Sequence, residues 1–409
     1  MAETAHAQAD VRRFPTKIVL PAALLVLGLL TLLKANLALR AEQHFVFLAK
    51  SFLEGRLDFT EAPGTWADTS PYEGRYYWPL GPLPAILLMP FVWIGDASFQ
   101  QGPLLFAFNA ISLYLLFRIA RRITGSDETA LWLAFAYVFA TNYLYVGLVA
   151  WSWYFAQAMA TTFTLWALCE FLGRRRWWVI GAALALGMTT RVTVVLGGLF
   201  FGLSLLFDGA KRRAKIRWLA QMTVPMILSV AGLLAYNYLR FGSIAEFGYS
   251  TQILAHEPAV NRAYGVWSVG HVPANLYYLF FKGPEGIFIP GSKVLQYPYL
   301  RPSIWGMSIL FTSPIFLVIV KAPWRDRSVR LAAATSALML AIVLGYYGIG
   351  VRQYGYRYAL DFYPFLFLIL CRSVGDRPSA ALRLLIVLSA LFNYHFIPYV
   401  LGPLSGSGG

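Results

Sequence analysis

The first polar break in an otherwise apolar chain carries the leading candidates for proton transfer: Glu42 and His44 two positions apart, then Asp58 and Asp68. Glu42 and His44 offer a general base or two ligands for a divalent metal ion. Glu42 equally fits a charge set against a helix N-terminus. Asp68, in "TWADTSPYEGRYY", fits a second base as well as a turn or cap. Arg191 sits in "TTRVT", where a guanidinium between two apolar runs is costly unless it meets an anion. Arg352 and Arg357 lie in "VRQYGYRYALDFYPF" with Asp361, and Arg240 and Lys282 border or occupy a second polar break. Arginine grips a phosphate or diphosphate through two parallel N–H bonds, so the chemistry these residues imply is proton abstraction beside a bound phosphate. Snorkelling at a membrane surface, and an Arg357–Asp361 pair one helical turn apart, are the plainer uses of the same residues.

The chain that must position them is 58% hydrophobic and only 13% charged. Its apolar stretches recur from end to end, which makes it a polytopic α-helical membrane protein. A β-barrel would give a far weaker signal per segment, and a soluble protein would have to bury about ten such helices in one core. The net charge of +15 is a topology signal rather than a nucleic-acid one. Of the 34 Lys and Arg, 21 fall in six clusters at the ends of apolar stretches: 12–17, 118–122, 174–176, 211–217, 321–330 and 372–383.

If every cluster is cytoplasmic, consecutive clusters are separated by an even number of crossings. Three apolar stretches lie between Lys17 and Arg118, so one does not cross. The weakest helix of the three is "PLGPLPAILLMPFVWIG", interrupted by Pro79, Pro82, Pro84 and Pro90. Residues 79–95 are therefore expected in the outer interface, with Tyr72, Tyr76, Tyr77 and Trp78 as an aromatic belt. The remaining spans are expected near 18–40, 103–118, 129–150, 154–173, 177–191, 194–208, 218–239, 303–321, 330–351, 358–372 and 380–401. That gives eleven crossings with the N-terminus cytoplasmic. The spans 177–191 and 194–208, each about 22 Å long against about 30 Å of hydrocarbon, form a short hairpin whose tip is "TTRVT".

Two outer loops follow, 41–102 and 240–302. Phe45, Leu48, Ala49, Phe52 and Leu53 recur at helical spacing, so 42–54 is expected to be an amphipathic helix on the membrane, and "NLYYLFFKGPEGIF" a second. The whole is read as one all-α transmembrane domain over 1–401, with a Gly/Ser-rich flexible tail at 402–409. The first apolar stretch has no small-residue cleavage site and is expected to be retained. Cys169 and Cys371 both lie near basic clusters, which disfavours a disulfide. The cytoplasmic loops contain no P-loop or Gly-rich nucleotide fingerprint, so nucleotide-driven chemistry is disfavoured. Tyr72, Tyr76, Tyr77, Tyr249 and Tyr356 are the aromatic candidates for substrate contact.

In order along the chain, "EQHFVFLAKSFLEGRLD", "YYWPLGPLPAILLMPFVWIGD", "LYLLFRIARRITGS", "GAALALGMTTRVTVVLGG" and "GYRYALDFYPFLFLIL" resemble stretches of the GT-C superfamily of membrane glycosyltransferases, which includes the aminoarabinose transferases and protein O-mannosyltransferases. The resemblance implies inverting transfer of a sugar from a polyprenyl-phosphate donor to a membrane-borne or secreted acceptor, on the outer face of a bacterial inner membrane. It implies an outer-loop carboxylate as base and Arg191, Arg352, Arg357, Lys282 and Arg240 as partners of the donor phosphate. The family usually opens the first loop helix with Asp, whereas this chain reads Ala41, Glu42, Gln43. The base is then Glu42, Asp68 or Asp58. The sequence requires no cofactor, and Glu42 with His44 would accommodate a divalent metal ion. A transporter of a lipid-linked sugar, or a non-catalytic subunit of the same fold, would use the same arginines without a base.

Overall fold

The computed structural model describes residues 16–39 and 42–399. Arg12, Arg13, Ala41 and the tail at 402–409 lie outside the described residues. In chain order, α1 (Thr16–Ala38) leads to a first loop holding α2 (His44–Leu53), the hairpin β1 (Ser70–Tyr72) and β2 (Arg75–Tyr77), and α3 (Leu83–Gly95). Then come α4 (Gly102–Thr124), α5 (Asp127–Phe139), α6 (Tyr143–Leu148), α7 (Ser152–Phe171), α8 (Trp177–Met188), α9 (Gly198–Leu206) and α10 (Arg212–Phe241). A second loop holds α11 (His256–Ala263), α12 (Val272–Phe280), β3 (Glu285–Phe288), β4 (Leu295–Arg301) and β5 (Trp305–Met307). The chain closes with α13 (Ile309–Thr312), α14 (Arg327–Leu344), β6 (Gln353–Gly355), α15 (Tyr363–Val374) and α16 (Ala380–His395).

Among the described residues, five helices are long and apolar enough to cross a membrane: Lys17–Ala38, Gly102–Thr124, Arg212–Phe241, Arg327–Leu344 and Ala380–Tyr399. The protein is a mostly helical integral membrane protein. Val19, Leu20, Val26, Leu27 and Leu30 leave an apolar face of α1 exposed, as a lipid-facing helix requires. At the centre stands α7, buried along its length except at Trp153 and Trp166, packed against α4 and α8. Cys169 and Cys371 are buried and free.

The structure departs from the sequence reading where polar side chains replace helix hydrogen bonds. The stretch expected as one span at 129–150 is broken into α5 and α6 at Ala140–Asn142. A break inside the apolar slab frees backbone groups that must find partners there. Asn393 Nδ2 donates to the Thr141 carbonyl at 3.2 Å, and the Asn142 amide donates to Ser313 Oγ at 3.1 Å. The stretch expected as a span at 303–321 starts instead with strand β5, which pairs in parallel with β6. Helix begins only at Ile309, and after Pro314 the coil tightens to a 3₁₀ form through Lys321. The all-α expectation missed three two-stranded ladders, β1–β2, β3–β4 and β5–β6, all in loops. Likewise "NLYYLFFKGPEGIF" is helix only as far as Phe280, and Glu285 already pairs as strand.

Of residues 79–95, Leu83–Gly95 form α3, whose 13 residues extend about 20 Å, short of about 30 Å of hydrocarbon. It packs along α2. The hairpin expected at 177–208 is also present, as α8, the tip Thr189–Arg191, a 3₁₀ run over Val192–Gly197 and α9. Tip and first loop meet backbone to backbone: the Leu83 amide donates to the Thr189 carbonyl at 3.3 Å. A Cβ on Gly81 would stand 2.0 Å from that same carbonyl oxygen, so the "PLGP" turn can lie this close only with glycine.

Candidate active site

Loop one is organised around a buried histidine. His44 is fully buried, stacked on Trp78 with ring centroids 4.1 Å apart. Its Nε2 meets the Ala67 carbonyl at 3.3 Å, and its Nδ1 meets Ser152 Oγ at 3.3 Å. The serine hydroxyl also reaches the Glu42 carbonyl at 3.1 Å. Burial lowers the imidazole pKa to about 4, so it is neutral at physiological pH. Both ring nitrogens of His44 are turned to Ala67 and Ser152. Among the described residues no three His, Cys, Asp or Glu side chains gather.

What this clamp on Ala67 positions is the next residue, Asp68. Asp68 has φ of 64°, a left-handed conformation that costs a non-glycine residue on the order of 1–3 kcal/mol. It is held by ladder-like bonds to loop two on both sides: Asp68 N donates to the Ile253 carbonyl and Ile253 N to the Thr69 carbonyl, each at 2.8 Å. Gln252 Nε2 adds a bond to the Asp68 carbonyl at 3.2 Å. The carboxylate then accepts one hydrogen bond from Trp153 Nε1 at 3.1 Å. Burial pushes its pKa above the usual range, against the Trp153 bond and the charges of Arg357 and Arg352. Glu42 is raised too, by burial first and then by the Asp68 charge, with Arg352 opposing. The two carboxylates therefore act on each other electrostatically, although Glu42 lies ahead of α2 rather than in its first turn.

Trp153, Tyr346 and Tyr358 form a wall shared by two cavities. The larger, about 310 Å³, is lined mainly by apolar groups from the hairpin tip, α10, loop two and α14. Two arginines reach it. Arg191 pairs with Asp361 through two bonds, Nε to Oδ1 at 3.2 Å and Nη2 to Oδ2 at 3.1 Å, with both side chains nearly buried. The sequence reading paired Asp361 with Arg357 one turn away. Instead residues 357–361 form a 3₁₀ turn, and the carboxylate faces the hairpin. Arg240 is 3% exposed, donates to the Trp78 carbonyl at 2.6 Å and to Asn237 Oδ1 at 2.7 Å, and lies over the Tyr236 ring at 3.9 Å. Tyr249 stands in the same wall, where burial raises its phenol pKa to about 12.

The smaller cavity, about 110 Å³, is the more polar of the two and is lined by Asp68, Arg357, Gln252 and Asn261 together with Trp305 and Tyr347. Arg357 is 8% exposed, yet its Nε and Nη1 have no hydrogen-bond partner; Nη2 donates to the Tyr358 hydroxyl at 3.2 Å. Neither Arg357, Arg240 nor Arg352 enters an ion pair among the described residues. Arg352 is exposed, with φ of 51°.

Several sequence candidates lie elsewhere. Asp58 is held by Arg56 at 2.5 Å; burial pushes its carboxyl up, but the Arg56 bond, a bond from its own backbone amide and the charges of Arg56 and Arg75 together leave it below the usual range. Lys282 pairs with Glu285 at 2.9 Å beside β3, outside both cavities. Tyr72 and Tyr77 pack on Phe241, Tyr76 stacks on Trp66 at 4.1 Å, and the Tyr356 hydroxyl donates to Asn275 at 2.8 Å. These are structural contacts. The residues missed were Trp153, Tyr346 and Tyr358, and the only signal for them was an aromatic at an outer helix end.

A helical membrane bundle with short helices in its first long loop, and with carboxylates and buried arginines gathered beside a short hairpin, has a GT-C-like fold. Its likeness among solved structures is to ArnT from Cupriavidus metallidurans. The apo form aligns with TM-score 0.52 at 15% identity, and the form bound to undecaprenyl phosphate with TM-score 0.52 at 14% identity. Each alignment covers 88% of this chain and 60% of ArnT, so the chain spans well under two thirds of that protein's length. No family model and no curated protein matches the sequence.

Proposed function

We propose that the protein is a glycosyltransferase that moves a sugar from a polyprenyl-phosphate donor to a hydroxyl-bearing acceptor with inversion at the anomeric carbon. The observation that carries this is the junction of the two cavities: an apolar chamber with buried arginines meets, across Trp153 and Tyr358, a polar chamber holding a carboxylate and an unpartnered arginine. The prenyl chain would lie in the apolar chamber, where Arg240 offers positive charge with no carboxylate against it. Asp68 would take the acceptor's proton as its oxygen attacks the anomeric carbon. The bond from that carbon to the phosphate oxygen breaks, and the prenyl phosphate leaves with the bonding pair, its charge met by Arg357 and Arg240. Glu42, beside Asp68, would tune that base. The undecaprenyl phosphate held by the structurally similar ArnT supports a donor of this class. We further propose eleven crossings, the six beyond the five long apolar helices being α7 and the shorter or broken ones, with the site on the extracytoplasmic face of a bacterial inner membrane.

The test is release of free polyprenyl phosphate, followed by mass spectrometry, when the protein in lipid is given polyprenyl-phosphate sugars and a membrane lipid extract. Release that is lost in Asp68→Asn supports the reading. Donor binding without release, abolished by Arg240→Gln, would instead indicate carriage of a lipid-linked sugar.

A further inference from the structure

Toward the C-terminal end of α4, roughly 24–30 Å along the helix from Gly102, lies a third cavity that the proposed reaction does not use. It measures about 810 Å³ and opens between α1, α4 and α5. Its floor is cationic: Arg118, Arg121 and Arg122 face a single carboxylate, Asp127. Its sides are apolar, from Ile18, Phe117 and Leu131.

The three arginines are not equivalent. Arg121 pairs with Asp127, which closes the turn between α4 and α5. Arg122 donates to the Cys169 carbonyl and reaches Cys169 Sγ at 3.3 Å, which fastens α4 to α7. Arg118 has no carboxylate; it is aimed by the Tyr114 hydroxyl at 2.6 Å and lies against that ring at 5.5 Å. Tyr114 and Ile111 continue the same outward stripe of α4 at i−4 and i−7 from Arg118, and both are about half exposed. Beside them runs the exposed apolar face of α1 through Val19, Val26 and Leu30. A cationic pocket thus opens beside exposed apolar side chains of α4 and α1.

We infer that this cavity binds the headgroup of an anionic diacyl phospholipid from the leaflet at that end of the bundle, with Arg118 on its phosphate and an acyl chain along the Ile111–Tyr114 face of α4. Basic pockets between membrane helices suit such headgroups, and each guanidinium near an anionic phosphate adds modestly to affinity. A free anion would satisfy the arginines but leave the apolar strip without a role.

The experiment is native mass spectrometry of the full chain released from nanodiscs of mixed phosphatidylcholine and phosphatidylglycerol. The expected result is a retained phosphatidylglycerol adduct in excess over phosphatidylcholine. Arg118→Gln should lower that excess by about fivefold, and Tyr114→Phe by less, with thermal unfolding in phosphatidylcholine discs unchanged because Arg118 has no ion pair to lose. Equal retention of the two lipids, or a preference that survives Arg118→Gln in a folded protein, overturns the inference. So does displacement of phosphatidylglycerol by inorganic phosphate as readily as by the lipid, which would mark a site for a free anion.

Discussion

The two chambers beside Trp153 handle buried positive charge in opposite ways. In the apolar chamber Arg191 is neutralised by Asp361 through two bonds, and Arg240 is satisfied by carbonyl oxygens and aromatic faces. In the polar chamber Arg357 is equally buried but leaves two of its nitrogens without partners, in the same cavity as a carboxylate whose pKa is raised. A buried charge that is fully paired belongs to the scaffold, because its desolvation is already offset. One left unpaired is costly unless a ligand completes it. The difference separates the arginine that builds the site from the one that uses it.

The largest effect expected on this contrast comes from its carboxylate. Asp68→Asn should reduce sugar transfer by about 10²–10⁴-fold, the range for loss of a general base, measured as polyprenyl phosphate released. The same change should leave the protein as stable or more stable at neutral pH. The sign follows from the raised pKa: the folded state favours the protonated acid, so Asp68 contributes stability below its ordinary range and loses it as pH rises through its folded pKa. A neutral amide keeps the protonated form's advantage at every pH. Wild-type turnover in Asp68→Asn would move the base to Glu42.

Next in size is the paired arginine. Asp361→Asn leaves the nearly buried Arg191 without its counter-ion and should cost about 3–5 kcal/mol of stability, read from thermal unfolding in lipid. Arg357→Gln has no ion pair to break, so it should unfold close to the wild type while donor turnover falls steeply. Equal destabilisation by the two would remove the distinction drawn between the chambers.

These expectations also show how far the sequence could be read. Helices such as α1, α4 and α10 are legible because their hydropathy is set residue by residue. Asp68 and Arg357 are legible as candidates, since charged residues are scarce enough that each one stands out. The pairing of Arg191 with Asp361 is not, because 170 positions separate them and only the packing of the hairpin tip against the start of α15 brings them together. The break at Ala140–Asn142 was hidden for a similar reason: its stabilising partners, Ser313 and Asn393, lie far along the chain. His44 looked like a ligand because its type and spacing carry no record of the Trp78 ring beneath it.

The histidine gives a pH test of opposite sign to that of Asp68. Its pKa falls from 6.5 to about 4, so the stability it contributes is present above pH 6.5 and is lost as pH falls toward 4. The loss is on the order of 3 kcal/mol. Unfolding of the wild type should therefore become easier over that window, and His44→Gln should flatten the dependence. A slope that persists in His44→Gln would place the titrating group elsewhere in loop one.

The smallest effect tests the wall itself. Trp153 gives Asp68 its one side-chain hydrogen bond while its ring closes both chambers. Trp153→Phe keeps most of the ring and deletes the donor. A hydrogen bond to a carboxylate favours the charged form, so losing it raises the Asp68 pKa further. The acidic limb of the pH–rate profile should then move upward by roughly one unit, since bonds of this kind are worth about 1.5–3 kcal/mol before partial replacement by water. Well above that limb the base is ionised in both proteins, and the rates should converge to within about threefold. A lowered rate with an unmoved limb would mean that Trp153 serves only as a partition. A shifted limb with converging rates would show that the residue dividing the two chambers also sets the protonation of the group that joins them.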